Sequence, residues 1–333
     1  MISATWSLQF AAVLFVGVLP LRVLADEADR NDAKIVTIAA VQIDGYDKGD
    51  LPREDYHPVG AFVPYIDRAG DADADLVVFP EYVLGHIQVP GPETNQIAAA
   101  AKRHGIYVII GCWEHSADGR FANTALLFGR DGEITGKYQK THAAVDHFEG
   151  SPPWSRPPAN KTREWMMQHD PEWIMEAGTG LPVFDLDFGR IGIMTCYDGW
   201  FPEPARALSL QGAELLVWIN GRGGSVEDFI VRTTMFQSHV AMVATNQAYG
   251  SGTMIGDCSR RPQQILARCS DRGEAFITAN VNMGRVREMR RNSRNFQQRR
   301  PELYNVLTQP ITALPTTQPR AHVSSNEPAE TGQ

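Results

Sequence analysis

The sequence predicts an α/β fold, and three observations carry that prediction. From Lys34 onward, short apolar runs of strand length alternate with longer amphipathic stretches, the pattern of a sheet covered by helices. The chain has 333 residues, 43% hydrophobic and 21% charged, which is enough to bury a large core. No internal repeat is visible, so a solenoid is excluded. The same composition, with only 4 Cys, excludes a disulfide-stapled miniprotein, a collagen-like chain and a wholly disordered one.

Taken in order, the first segment stands apart from the fold. Phe10 to Leu19 is an unbroken apolar run, too short for a membrane-spanning helix of about 20 residues. Its length suits the apolar region of a signal peptide. Val23-Leu24-Ala25 offers small residues for cleavage before Asp26-Glu27, although no Lys or Arg precedes the run. Residues 1–25 are therefore expected to be an export signal, with an uncleaved anchor as the competing reading; cleavage leaves a periplasmic or secreted protein with no membrane contact.

Strands are expected at 35–43, 75–80, 107–112 and 123–129, each a continuous apolar or β-branched run. Arg130-Asp131-Gly132-Glu133 carries the Asp-Gly signal of a hairpin turn. Further strands are expected at 182–186, 190–196, 214–220, 240–247, 252–258, 264–269 and 275–281. Helices are expected at 59–69, 94–104, 202–212 and 225–239. Ser225, with Asp228 three residues on, resembles a capping box opening the last of them. Residues 150–162 hold four prolines and read as an irregular loop. Residues 309–333, rich in Pro, Thr, Ser and Glu, read as a disordered tail. One domain is expected from about 34 to about 305.

The formal charge is −8. A protein that tracks phosphates needs a surplus of Lys and Arg, so nucleic acid is not expected as a partner, despite a basic stretch at Arg285–Arg300. The cysteines are Cys112, Cys196, Cys258 and Cys269. Cys258 and Cys269 fall at different heights of one expected hairpin, too far apart for a disulfide. Cys112, inside an apolar run, reads as a small buried hydrophobe.

No GxSxG, HExxH or P-loop motif is present, nor a Cys/His cluster with zinc spacing, and no cofactor is expected. Three polar residues stand out because each is read at the C-terminal end of a strongly apolar strand: Glu81 after DLVVFP, Lys140 in GKYQKTH, and Cys196 at the end of RIGIMTC. The C-terminal ends of strands are where open α/β folds gather their sites. Singly, each has an ordinary reading as a surface carboxylate, a solvated lysine or a buried thiol. Together they form a recognisable set.

The chain resembles the nitrilase superfamily of carbon–nitrogen hydrolases. The matching segments are IAAVQ (38–42), ADLVVFPE (74–81), NTALLFGRDGEITGKYQKTH (123–142), FGRIGIMTCYDGWFPE (188–203), GAELLVWING (212–221) and RRPELY (299–304), in family order. The resemblance implies a four-layer αββα sandwich, a Glu81-Lys140-Cys196 site, and a homodimer or higher homo-oligomer. It implies a small amide-type substrate cleaved through a thioester on Cys196. Glu81 would be the general base, and Lys140 with the backbone N–H of Tyr197 would face the oxyanion. A second pocket glutamate is common in such enzymes. Glu149, nine residues after Lys140, is favoured here over Glu172. Cys196-Tyr197-Asp198 is similar to the amide and carbamoyl hydrolases, whereas nitrilases usually place Trp and Glu after the cysteine. Nitrile hydrolysis is the alternative reaction, and an inactive exported binding protein is the alternative of another class. Trp113, Trp154, Trp200 and Tyr249 are candidate pocket walls.

Overall fold

Side chains alternate between two buried faces along the first strands, and that alternation builds a layered molecule. The computed structural model describes residues 34–45, 59–145, 162–259 and 262–309. The expected leader, Glu149, Trp154, most of the Pro-rich segment and nearly all of the expected tail lie outside the described residues.

The first sheet contains β1 (Ile35–Gln42), β2 (Leu76–Val78), β3 (His86–Gln88), β4 (Tyr107–His115), β5 (Phe121–Phe128) and β6 (Ile134–Gln139). The second contains β7 (Val183–Leu186), β8 (Gly189–Thr195), β9 (Leu215–Ile219), β10 (Ala241–Thr245), β11 (Met254–Asp257) and β12 (Gln264–Arg268). The last strand, β13 (Ala275–Asn282), returns to pair antiparallel with β1. The first sheet runs β13-β1-β2-β4-β5-β6, with β3 beside β4, and the second runs β12-β11-β10-β9-β8-β7. The inner strands β1, β2 and β4 are parallel, as are β8, β9 and β10.

Period-two alternation assigns the faces. Val36, Ile38, Ala40, Leu76, Val78, Ile109, Ala125 and Leu127 share one core with the second sheet. Their neighbours Ala39, Val41, Val77, Val108, Ile110, Leu126 and Phe128 point the other way, toward α1 (Val63–Asp71) and α2 (Pro92–His104). Between these helices and the second sheet in sequence come two short helices, α3 (Arg163–His169) and α4 (Pro171–Ile174). The far face of the second sheet is covered by α5 (Pro202–Leu210) and α6 (Asp228–Ser238), which contribute Leu208, Val231 and Met235 to the core. The layers are thus helix, sheet, sheet, helix, the four-layer αββα sandwich that the family resemblance implies.

Several boundaries differ from expectation for identifiable reasons. The helix expected from Ser225 begins at Asp228, because Ser225 forms a β-bridge to Ser251 and Glu227 takes the N-cap position. The helix expected at 59–69 is a 3-10 turn, Val59–Ala61, followed by α1, which carries Pro64 in its first turn. The Asp-Gly hairpin is present, with Gly132 at φ 84 and the Gly129 N–H donating to Glu133 O at 2.8 Å. Cys269 donates its N–H to Thr253 O at 2.8 Å, so it lies at the opposite end of the β11–β12 hairpin from Cys258, and both thiols are free.

The basic stretch is largely structural. It begins in α7 (Met283–Arg291), where Arg287 pairs with Glu214 at 3.0 Å and Arg290 donates to backbone oxygens of Ser209 and His239 at 2.8 and 3.0 Å. The unit holding both sheets runs to Ser293. A second unit begins at Arg294 with α8 (Arg294–Gln297) and two 3-10 turns, and residues 301–309 are all exposed. Among the described residues, no helix is long and apolar enough to cross a membrane.

Candidate active site

Glu81, Lys140 and Cys196 each follow the C-terminal end of a strand, β2, β6 and β8 respectively. Because β4, β5 and β6 form an antiparallel meander, β6 points the same way as β4 and hence as β2. The two sheets bring these strand ends together at one end of the sandwich.

Glu81 sits on a loop fixed from both sheets. Gly111 of β4 donates to Pro80 O at 3.2 Å and accepts from the Leu84 N–H at 3.0 Å. A Cβ at Gly111 would come within 2.4 Å of the Tyr82 nitrogen, so only glycine permits this approach. From the second sheet, Asn220 O accepts the Glu81 N–H at 3.3 Å, and Gln247 Nε2 donates to Glu81 O at 2.7 Å. The carboxylate is 1% exposed. Its Oε1 accepts from Asn123 Nδ2 at 2.8 Å and from Lys140 Nζ at 3.1 Å, whereas Oε2 has no partner among the described residues.

Lys140 is anchored through its backbone. Its N–H donates to Asn123 O and its carbonyl accepts from the Gly178 N–H, both at 2.8 Å. The ammonium, also 1% exposed, lies 3.1 Å from Glu81 and 2.6 Å from Glu172 Oε1. Glu172 is held by α4: Asp170 caps that helix by accepting the Glu172 N–H at 2.9 Å, and Glu172 Oε2 accepts the Ala144 N–H at 2.8 Å. Among the described residues, the second carboxylate beside the lysine is therefore Glu172; Glu149, which the sequence favoured, lies outside them. Glu172 lies 32 residues beyond Lys140 in sequence, and the Asp170-capped helix places it at the ammonium.

Cys196 occupies a turn that a side chain seldom adopts. It has φ +46 and opens the 3-10 turn Cys196–Trp200 directly after β8. A left-handed non-glycine residue costs about 1–3 kcal/mol, and its neighbours must hold it there. Trp218 Nε1 donates to Cys196 O at 2.8 Å. Asp198, fully buried, accepts the Thr195 N–H at 2.8 Å and the Tyr138 hydroxyl at 2.7 Å on Oδ2. Its Oδ1 accepts the Thr141 hydroxyl and the His142 N–H, both at 3.0 Å, with the His142 ring also at 3.0 Å. Asp198 thereby links the cysteine turn to the segment following Lys140. The Tyr197 nitrogen lies in the first turn of the 3-10 helix, where N–H groups have no acceptor within the helix.

Charge and burial act in opposition across the site. Burial, with the negative Glu81 nearby, pushes the Cys196 thiol up to about 12, against the pull of Lys140 and Arg222. Burial also raises Glu81 above the usual carboxylate range, although Lys140 and Asn123 work the other way. Burial opposes the charge on Lys140, but Glu81, Cys196 and Glu172 outweigh it and hold the lysine well above its ordinary value. For Asp198, burial opposes ionisation too, and the hydrogen bonds from His142, the Thr195 N–H and Tyr138 lower it nonetheless. A resting thiol, a carboxylate with one oxygen unpaired among the described residues and a firmly charged ammonium can perform base-assisted nucleophilic attack.

The aromatic candidates separate. Trp113 is buried and stacks on Tyr82, with ring centres 5.2 Å apart. Tyr249 shares a hydroxyl contact of 3.2 Å with Tyr82, and Trp200 is half exposed beside Tyr197. Asn123 and Asp198 lie inside matched segments, yet their roles show only once partners from distant strands surround them. Among the described residues, no group of three or more His, Cys, Asp or Glu is arranged to hold a metal ion.

Comparison with known proteins agrees with this geometry. The sequence is 26% identical over 242 residues to N-carbamoylputrescine amidase of Arabidopsis thaliana, covering 65% of this chain and 73% of that protein. It is 26% identical over 241 residues to the omega-amidase NIT2 of Homo sapiens, covering 68% and 79%. The fold is similar to the crystal structure of a carbon–nitrogen hydrolase from Helicobacter pylori, with TM-score 0.64 and 20% identity, covering 83% of this chain and 99% of that one. The carbon–nitrogen hydrolase family model matches residues 37–291, most of the chain, and the protein belongs to that family.

Proposed function

We propose that this enzyme hydrolyses a small amide or N-carbamoyl compound through a thioester on Cys196. The observation that carries the reading is the buried Lys140 ammonium held between Glu81 and Glu172, with the Cys196 thiol inside the same field. Because the thiol rests protonated, attack requires a base at the moment the S–C bond forms. Glu81 Oε2 takes the thiol proton as Cys196 Sγ adds to the carbonyl carbon. The carbonyl electron pair moves to oxygen, where the Lys140 ammonium and the Tyr197 N–H stabilise it by about 3–4 kcal/mol per donor. Glu81 then gives the proton to the departing nitrogen, the C–N bond breaks, and ammonia or an amine leaves. Water attacks the thioester with Glu81 again as base, and the proton returns to the sulfur as the acid departs. Glu172 keeps Lys140 charged and directed.

Relatives named as amidases and the Cys196-Tyr197-Asp198 sequence support an amide over a nitrile. The test is ammonia release from a panel of amides, N-carbamoyl compounds and nitriles by the wild type and Cys196→Ala. Amide or carbamoyl turnover lost in the variant is expected; turnover of nitriles alone would select the other reaction. The apolar run Phe10–Leu19 ahead of Val23-Leu24-Ala25 supports export with residues 1–25 as the signal, checked by the N-terminal sequence of protein recovered outside the cytoplasm.

A further inference from the structure

A buried carboxylate usually finds partners for both oxygens, because an unpaired one loses its hydration without compensation. Glu81 departs from this. Two donors converge on Oε1, and Oε2 has none among the described residues although no solvent reaches it. Such an arrangement needs something to keep it from relaxing. A carboxylate held by Lys140 alone is free to swivel until both oxygens share the ammonium, satisfying each and leaving none open. The second donor prevents that. Asn123 Nδ2 grips Oε1 at 2.8 Å from a different strand and so fixes the carboxyl plane.

We propose that Asn123 is the positioning residue that reserves Oε2 of Glu81 for the Cys196 proton. Asn123 is well placed for this role, being fully buried in β5 and paired across the sheet with Trp113. Its backbone oxygen accepts the Lys140 N–H at 2.8 Å while its side chain holds Glu81. One residue therefore sets the spacing of base and lysine. Its hydrogen bond favours the ionised form of Glu81, as the Lys140 charge does, against burial and the Glu172 carboxylate. Among the described residues, Cys196, Tyr82 and Tyr249 are also in electrostatic contact with Glu81. The proposal rests on the cysteine mechanism above and specifies how its base is prepared.

The experiment measures iodoacetamide alkylation of Cys196 against pH, followed by peptide mass spectrometry, with the partly exposed Cys269 as internal control. In the wild type, Cys196 should react with a base-assisted acid limb that Glu81→Gln abolishes. Asn123→Leu, similar in volume but without the donor, should slow Cys196 at neutral pH at least tenfold and move the acid limb upward, with Cys269 unchanged. Asn123→Ala serves if the leucine variant does not fold. The amide substrate found by the panel should show a fall in kcat with KM retained. An Asn123 variant whose Cys196 profile superimposes on the wild type, while Glu81→Gln still abolishes the limb, overturns the positioning role alone. A wild-type Cys196 that ignores Glu81→Gln overturns the cysteine mechanism and the positioning role together.

Discussion

Two buried carboxylates at the same end of the sandwich are treated in opposite ways. Asp198 is surrounded by donors from Thr195, Tyr138, Thr141 and His142, and both its oxygens are satisfied. Glu81 is equally buried, yet its donors crowd one oxygen and leave the other without a partner among the described residues. Burial is the largest influence on both and pushes each upward, but only at Asp198 do the hydrogen bonds overcome it. Burial alone therefore does not decide what a carboxylate does. The number and placement of donors separates a group that fixes a turn from one that can accept a proton.

The largest expected effects test whether Glu81 belongs to the reacting group at all. Cys196→Ala should abolish turnover, and Glu81→Gln should lower kcat by about 10²–10⁴-fold, both measured by ammonia release. An active Cys196→Ala enzyme would remove the chemical side of the contrast. The same Glu81→Gln change should leave the melting temperature at pH 7 unchanged or higher. A carboxyl raised in the fold above its unfolded value of about 4.3 binds its proton first when folded, so ionisation weakens the fold as pH climbs through that range.

Asp198→Asn should do the reverse, lowering the melting temperature by about 5 °C at pH 7, since hydrogen bonds to a charged acceptor contribute about 1.5–3 kcal/mol each. Asp198 lies below its unfolded value, so it stabilises the fold above about pH 4 and loses this as pH falls through the lower folded value. The gap between Asp198→Asn and wild type should accordingly narrow near pH 3 in circular-dichroism melts. Next in size, Glu172→Ala should cut kcat about tenfold, because Lys140 keeps Glu81 as a partner. The smallest effect belongs to Cys112→Ala, whose buried thiol lies in the core beside α1 and α2; steady-state rates should stay within about threefold.

Much of this end of the molecule is legible in the sequence. Buried strands such as β2 and β9 announce themselves as continuous apolar runs, and their ends point to Glu81 and the Asn220 loop. β6 is quieter: it lies at a sheet edge and alternates partly buried with exposed residues, so no apolar run marks Ile134–Gln139. Helices α3 and α4 follow a proline-rich stretch and carry too few apolar positions to show a period. The choice between Glu149 and Glu172 depends on where a capped four-residue helix lands, which is a tertiary fact. Ser225 teaches the same lesson, since its local capping signal yields to a bridge with Ser251. The roles of Asn123 and Asp198 are likewise invisible in one dimension, because each is defined by partners on other strands.

The hydrogen bonds that tie the Glu81 loop to Asn220 and Gln247 run from one sheet to the other. Glu81 and Lys140 therefore follow strands of one sheet and Cys196 a strand of the other, and neither sheet holds all three. Enzyme activity thus becomes a gauge of assembly: during refolding it should return only after the two sheets have docked, later than the circular-dichroism signal of the separate strands and helices. Two fragments mixed in trans should be silent until they associate, which makes this fold a natural reporter for split-protein complementation.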